Sequence, residues 1–146
     1  MSPITHHEAH DIRSLYARYA HAIDSGDGAT WAACYTEDGT YWSSTFGTRT
    51  GRDELAAFAV AHFEEWQQRG IQTQHWINQP RWERTEWGIQ GRTYVQLMGA
   101  RAEGPPVSML QTVYVDELVE VGGSWRLRRR ESHAQCGLIL PQTVDS

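Results

Sequence analysis

Apolar residues recur at helical spacing only as far as Gly70, and from Ile71 onward the chain reads as a series of long strands. Few architectures accommodate that division. Helices gathered first and strands afterwards predict an α+β domain, in which the helices cover one face of a curved antiparallel sheet. Thr5-x-x-Glu8 reads as a capping box opening a first helix, whose apolar face is Ile12, Leu15, Tyr16, Tyr19, Ala20 and Ile23. Asp24-Ser25-Gly26-Asp27-Gly28 stops it. Trp31, Cys34 and Tyr35 form a short second helical segment, closed by the turn-like Thr36-Glu37-Asp38-Gly39 and followed by a strand at Thr40 to Ser44. After a hairpin-like return through Phe46-Gly47, Gly51 precedes a third helix with the stripe Leu55, Phe58, Ala59, His62, Phe63 and Trp66. The later strands fall near 71–82, 90–101, 107–120 and 124–134, with Gly104-Pro105-Pro106 and Gly122-Gly123 as the clearest breaks. At 146 residues, without a linker or repeat, residues 1–146 are expected to form a single domain.

Composition removes whole classes of chemistry. All 13 basic residues are arginine, so a Schiff-base lysine, a pyridoxal phosphate anchor and a P-loop lysine are excluded. A formal net charge of -5 disfavours nucleic acid, whose binding energy comes largely from neutralised phosphates. Arg128-Arg129-Arg130 is the one basic cluster, and within a strand its members cannot all share a face. No run approaches the ~18 apolar residues of a membrane span, and Met1 to His10 lack a basic and apolar leader, so a soluble, cytoplasmic protein is expected. Cys34 and Cys136 are far apart and lack CxxC spacing, which fits free thiols. His6 and His10 stand at i, i+4 without a third ligand, and His7-Glu8-Ala9-His10 is one residue short of HExxH, so no metal site is expected. With no GxSxG, GxGxxG or Walker pattern either, cofactor-free acid/base chemistry or plain binding of a small molecule is left.

The residues able to carry such chemistry are few. In a strand starting near Ile71, His75 shares a face with Ile71, Thr73 and Ile77, while Gln72, Gln74, Trp76 and Asn78 back it. An imidazole on the more apolar face heads for the interior, as a general base or as a buried histidine bonded to a backbone carbonyl. Asp24 lies at the rim of the first helix's apolar face, where it either closes the Asp-Ser-Gly-Asp turn or offers a carboxylate to a partner such as His75. His62 falls within the third helix's stripe, as core or pocket wall, and His133 ends the last strand within reach of a cavity. Tyr19, Tyr41 and Trp42 belong to elements expected to flank Asp24, and a tyrosine hydroxyl there could donate to a substrate oxygen.

Ile23-Asp24-Ser25-Gly26-Asp27, then Trp31 and Cys34, the segment from Thr73-Gln74-His75 to Arg81-Trp82-Glu83, and Gly123-Ser124-Trp125-Arg126-Leu127 together resemble the SnoaL-like branch of the nuclear-transport-factor-2-like superfamily, and most closely its scytalone dehydratases. The resemblance spans nearly the whole chain. It implies a cone in which a strongly bent, mostly antiparallel sheet wraps on three N-terminal helices around an apolar pocket. It also implies that Asp24 pairs with His75, that His75 is the base of a β-elimination, and that Tyr19 is the next catalytic candidate. Tyr41, Trp42, His62, Arg101 and His133 are then the substrate-binding candidates. The dehydratases carry a tyrosine where this chain has Ile23, a first-strand tyrosine near Ser43, and a second pocket histidine near Arg101. The expected function is a cofactor-independent dehydratase-like lyase acting on a small, apolar, cyclic or polyketide-like substrate. An isomerase or polyketide cyclase would use the same base, and a non-catalytic binding domain is the remaining class. Relatives form dimers or trimers, so a homo-oligomer is expected.

Overall fold

The computed structural model describes residues 2–144. The first helix, α1 (His6–Ser25), opens on the expected capping box: the Thr5 hydroxyl accepts from the Glu8 N–H while the Glu8 carboxylate accepts from the Thr5 N–H. It ends on Gly26 in the left-handed region, φ 76°. A short α2 (Gly28–Ala33) follows at once, capped by the Asp27 carboxylate on the Thr30 N–H. Then come β1 (Tyr35–Ser43), β2 (Gly47–Thr50), α3 (Arg52–Gln68), β3 (Gln72–Arg84), β4 (Ile89–Ala100), β5 (Val107–Val121) and β6 (Ser124–Ala134).

The strands form one sheet in the order β2-β1-β6-β5-β4-β3. Every neighbouring pair is antiparallel except β1 and β6, which run parallel. The sheet bends where its registers shift. In β3 the shift between Asn78 and Arg81 contains Gln79 at φ 55°, and β5 shifts once against β4 and once against β6. The result is the α+β architecture expected, a bent and mostly antiparallel sheet with three helices packed on it. Among the described residues no helix is long and apolar enough to cross a membrane.

One local expectation is corrected. Thr36-Glu37-Asp38-Gly39 is not a turn before the strand but part of β1, and the second helical segment stops at Ala33. The turn-forming residues have a physical role nonetheless. The pairing jumps there from Tyr35 opposite Leu127 to Thr40 opposite Arg129, and a Cβ at Gly39 would lie 2.8 Å from that of Tyr35. The signal marks a bulge inside the strand.

The main core lies between the helices and the inner sheet face. Ile12, Leu15, Tyr19, Trp31, Tyr35 and Leu55 pack there against Val95, Tyr114, Leu118 and Leu127. A second cluster, Trp66, Ile71, Leu97, Met109 and Leu110, joins the end of α3 to the starts of β3 and β5. His75 lies in β3 between these clusters in chain order, with Thr73 of the same face buried and Gln74 and Trp76 of the opposite face exposed.

Candidate active site

Asp24 occupies the last turn of α1, where the helix dipole presents its negative end and no basic side chain offsets it. β3 supplies the compensation. One Asp24 carboxylate oxygen accepts from the His75 backbone N–H at 3.0 Å, and the other stands 2.6 Å from His75 Nδ1. The Gln72 side-chain amide also donates to the Asp24 main-chain carbonyl at 3.2 Å. The two partners are nearly enclosed, with side-chain exposures of 16% for Asp24 and 9% for His75. Because the carboxylate oxygen accepts, the proton on the ring belongs to Nδ1. Nε2 then carries the lone pair on the ring edge away from Asp24. Imidazole in that tautomer, held by a carboxylate, is equipped to take a proton.

His62 stands beside it. The apolar stripe of α3 carries His62 inward, and its ring centroid lies 5.7 Å from that of His75. Trp66, one turn further along the helix, donates its indole N–H to His62 Nε2 at 3.2 Å. An indole can only donate, so His62 Nε2 is unprotonated and Nδ1 bears the hydrogen. That Nδ1 is buried and has no hydrogen-bond partner among the described residues. Burial, reinforced by the charge that His75 can carry, pushes the His62 pKa down from 6.5 to about 3.

A pocket of about 660 Å³, open to solvent, is bordered by His62 together with Phe46, Phe58, Trp66, Leu138 and Leu140, and by the charged side chains of Arg49, Glu54, Glu65 and Arg69. Asp24 and His75 are not in its lining. They border two grooves of about 440 and 430 Å³ between α1 and β3, Asp24 touching only the latter. The pair thus borders the α1–β3 seam, while His62, whose ring lies 5.7 Å from that of His75, borders the larger pocket.

The remaining candidates are dispersed. Tyr19 is in the core, packed against Trp31, Tyr35 and Tyr114, and its hydroxyl accepts from Tyr35 at 3.3 Å. Burial raises its pKa, and it borders none of these cavities. Tyr41 is likewise buried, its ring on Trp31 and Phe58. Trp42, its neighbour in β1, faces the other side of the sheet and packs on His133 at 4.9 Å, while His133 stands 3.0 Å from Glu131. Arg101 donates to the main-chain carbonyls of Arg69 and of Pro141, the latter at 3.2 Å, and so ties the C-terminal segment to the end of α3. Ser43, in the expected slot of a first-strand tyrosine, accepts from the Thr45 and Phe46 N–H groups in the turn to β2.

An inner polar cluster was not foreseen. Arg130 and Asp116 are fully buried and joined by two hydrogen bonds of 2.7 Å. The Tyr16 hydroxyl donates to the same carboxylate, and the guanidinium lies over the rings of Tyr16, Tyr19 and Tyr114 at 4.0 to 4.7 Å. Burial alone would lower the Arg130 pKa, but Asp116 and the tyrosines raise it, so the guanidinium stays charged. Strand alternation in Arg128-Arg129-Arg130 was the available signal, since it turns at least one arginine of the run inward.

The sequence matches the SnoaL-like domain over residues 5–131. No curated protein matches it significantly. Among solved structures it is similar to an Asp-to-Asn variant of Rv3472, a function-unknown protein of Mycobacterium tuberculosis, with 29% identity and a TM-score of 0.76 over 88% of this chain and 72% of that one. It is also similar to ActVI-ORFA from Streptomyces coelicolor, with 23% identity and a TM-score of 0.76 over 87% of this chain and 97% of that one. A candidate scytalone dehydratase from Novosphingobium aromaticivorans shares 22% identity, with a TM-score of 0.72 over 88% of this chain and 85% of that one.

Proposed function

The chain belongs to the SnoaL-like domain family, and from that premise we propose that it is a cofactor-independent, dehydratase-like lyase whose base is the Asp24-His75 pair. The observation that carries this reading is the double contact of one carboxylate with one histidine, 2.6 Å to Nδ1 and 3.0 Å to the backbone N–H. It leaves Nε2 free to remove a proton from a carbon next to a carbonyl. The C–H electron pair then forms an enolate, whose collapse expels a β-hydroxyl. His75, now an imidazolium stabilised by Asp24, returns its proton to the departing oxygen, so water leaves and His75 regains its starting form.

The proposed substrate is a small apolar, cyclic or polyketide-like hydroxyketone, in keeping with the aromatic and leucine side chains on one side of the pocket that His62 borders, 5.7 Å from the His75 ring. On the same reading the chain works as a homo-oligomer, and Trp76 and Tyr94, exposed on neighbouring strands β3 and β4, offer apolar surface to a second copy. A cytoplasmic setting fits the unpaired Cys34 and Cys136.

The test is turnover of a panel of hydroxylated polyketide-like ketones by the wild type, His75→Ala and Asp24→Asn. For a ketone that the wild type dehydrates, His75→Ala is expected to lower kcat by roughly 10²–10⁴. Unchanged turnover in both variants would refute the assignment.

A further inference from the structure

A neutral buried N–H without an acceptor is an unusual thing to find beside a proposed base. Buried polar groups are nearly always hydrogen-bonded, and leaving one unpaired costs about 1–3 kcal/mol. His62 Nδ1 is such a group, on a residue that borders the 660 Å³ pocket and whose ring lies 5.7 Å from that of His75. Its state is fixed from the other side. The Trp66 indole N–H occupies Nε2, so the ring cannot present a lone pair at that position and the hydrogen resides on Nδ1. The rings of Phe46, Phe58, Trp66 and His75 pack around it.

We propose that His62 is a second catalytic residue, which donates its Nδ1–H to the substrate's carbonyl oxygen as negative charge develops there. The assignment rests on the Asp24-His75 reading, for which it supplies the missing oxyanion donor. His75 takes the carbon-bound proton while His62 keeps its own and accepts no electrons, acting through a hydrogen bond alone. A neutral imidazole suits this better than an imidazolium would. It stabilises the enolate oxygen without adding a second positive charge beside the one His75 gains. The strongly depressed pKa of His62 agrees with that assignment. Trp66 is the positioning residue that holds the tautomer.

A nitrobenzisoxazole is a suitable probe, since it needs no knowledge of the natural substrate. Removal of its ring proton by His75 breaks the N–O bond and yields a nitrile and a coloured phenolate, whose oxygen would receive the His62 hydrogen bond. His62→Phe is expected to lower kcat by roughly 10²–10³, the usual loss for one oxyanion donor, with KM nearly unchanged. His62→Asn, whose amide N–H can stand where Nδ1–H stood, is expected to recover at least tenfold of that loss, on the order of one donor's partial replacement. Imidazole nitrogen NMR on the folded wild type provides an independent reading and should show His62 neutral with its hydrogen on Nδ1 near neutral pH. A His75→Ala variant that abolishes turnover while His62→Phe leaves it intact overturns the His62 role and spares the base. A hydrogen found on His62 Nε2, or an imidazolium, also overturns it. If the wild type does not accelerate the reaction, or if His75→Ala is as fast as wild type, the base assignment falls and the His62 role falls with it.

Discussion

Asp24 grips His75 at two points, one carboxylate oxygen on the ring and the other on the backbone N–H of the same residue. The ring is therefore oriented relative to its own main chain, and not merely attracted to a distant charge. Both contacts require an acceptor. In Asp24→Asn one of them meets an amide N–H instead, so either the backbone donor loses its partner or the ring turns over to the tautomer with hydrogen on Nε2. The second outcome removes the base while leaving the fold in place. We expect kcat for a turned-over hydroxyketone to fall by about 10³–10⁴, with imidazole nitrogen NMR showing the changed tautomer.

The Arg130-Asp116 pair governs stability instead. Both partners are fully buried, so removing one leaves the other's charge in the interior. Asp116→Asn should cost about 3–5 kcal/mol in chemical denaturation, and Asp116→Leu combined with Arg130→Met should be less damaging than either single change. A double variant as unstable as the sum of the single ones would show that the pair is not coupled.

His62 makes stability depend on pH with a definite sign. Its pKa falls from 6.5 to about 3 on folding, so between those values the unfolded chain binds a proton that the folded chain refuses. Stability should accordingly fall as pH drops through that window, by at most about 1.4 kcal/mol per pH unit for this group. Comparing wild type with His62→Leu by urea denaturation from neutral pH to mildly acidic pH isolates the effect. The variant should show the shallower decline.

Gly26 closes α1 just beyond Asp24, at φ 76°, and a Cβ there would lie 2.5 Å from Phe63 Cδ1. Gly26→Ala combines a left-handed backbone penalty with a displaced ring, and we expect a loss of about 1–3 kcal/mol. Since Asp24 sits two residues earlier, turnover should decline more than stability alone explains. Thermal unfolding and kcat measured on one preparation check both.

Local chemistry made much of this legible in sequence. The Thr5/Glu8 box and the glycine after Ser25 set the limits of α1, and alternation in β3 turned His75 inward. Other features depend on where separate elements meet. Nothing in the spacing of Asp116 and Arg130 reveals that they face each other across β5 and β6, because that depends on a register shift near Glu117. His62 and Trp66 share a helix face by spacing alone, yet the nearness of His75 follows only from packing α3 on the sheet. Trp42 and His133 both had plausible positions in chain order, but strand parity sends them to the outer face. The contribution of Leu138 and Leu140 to the cavity depends on the irregular segment after β6, which carries no periodic signal.

The parallel pairing of β1 with β6 sets the order in which the protein can be completed. β1 is made early, but its partners are β2 and the final strand, Ser124–Ala134. During synthesis the helices and β1 must therefore wait, with Trp31, Tyr35 and Leu55 lacking much of their eventual packing, until Ser124–Ala134 has left the ribosome. Until β6 emerges, the nascent chain is expected to be a client for chaperones.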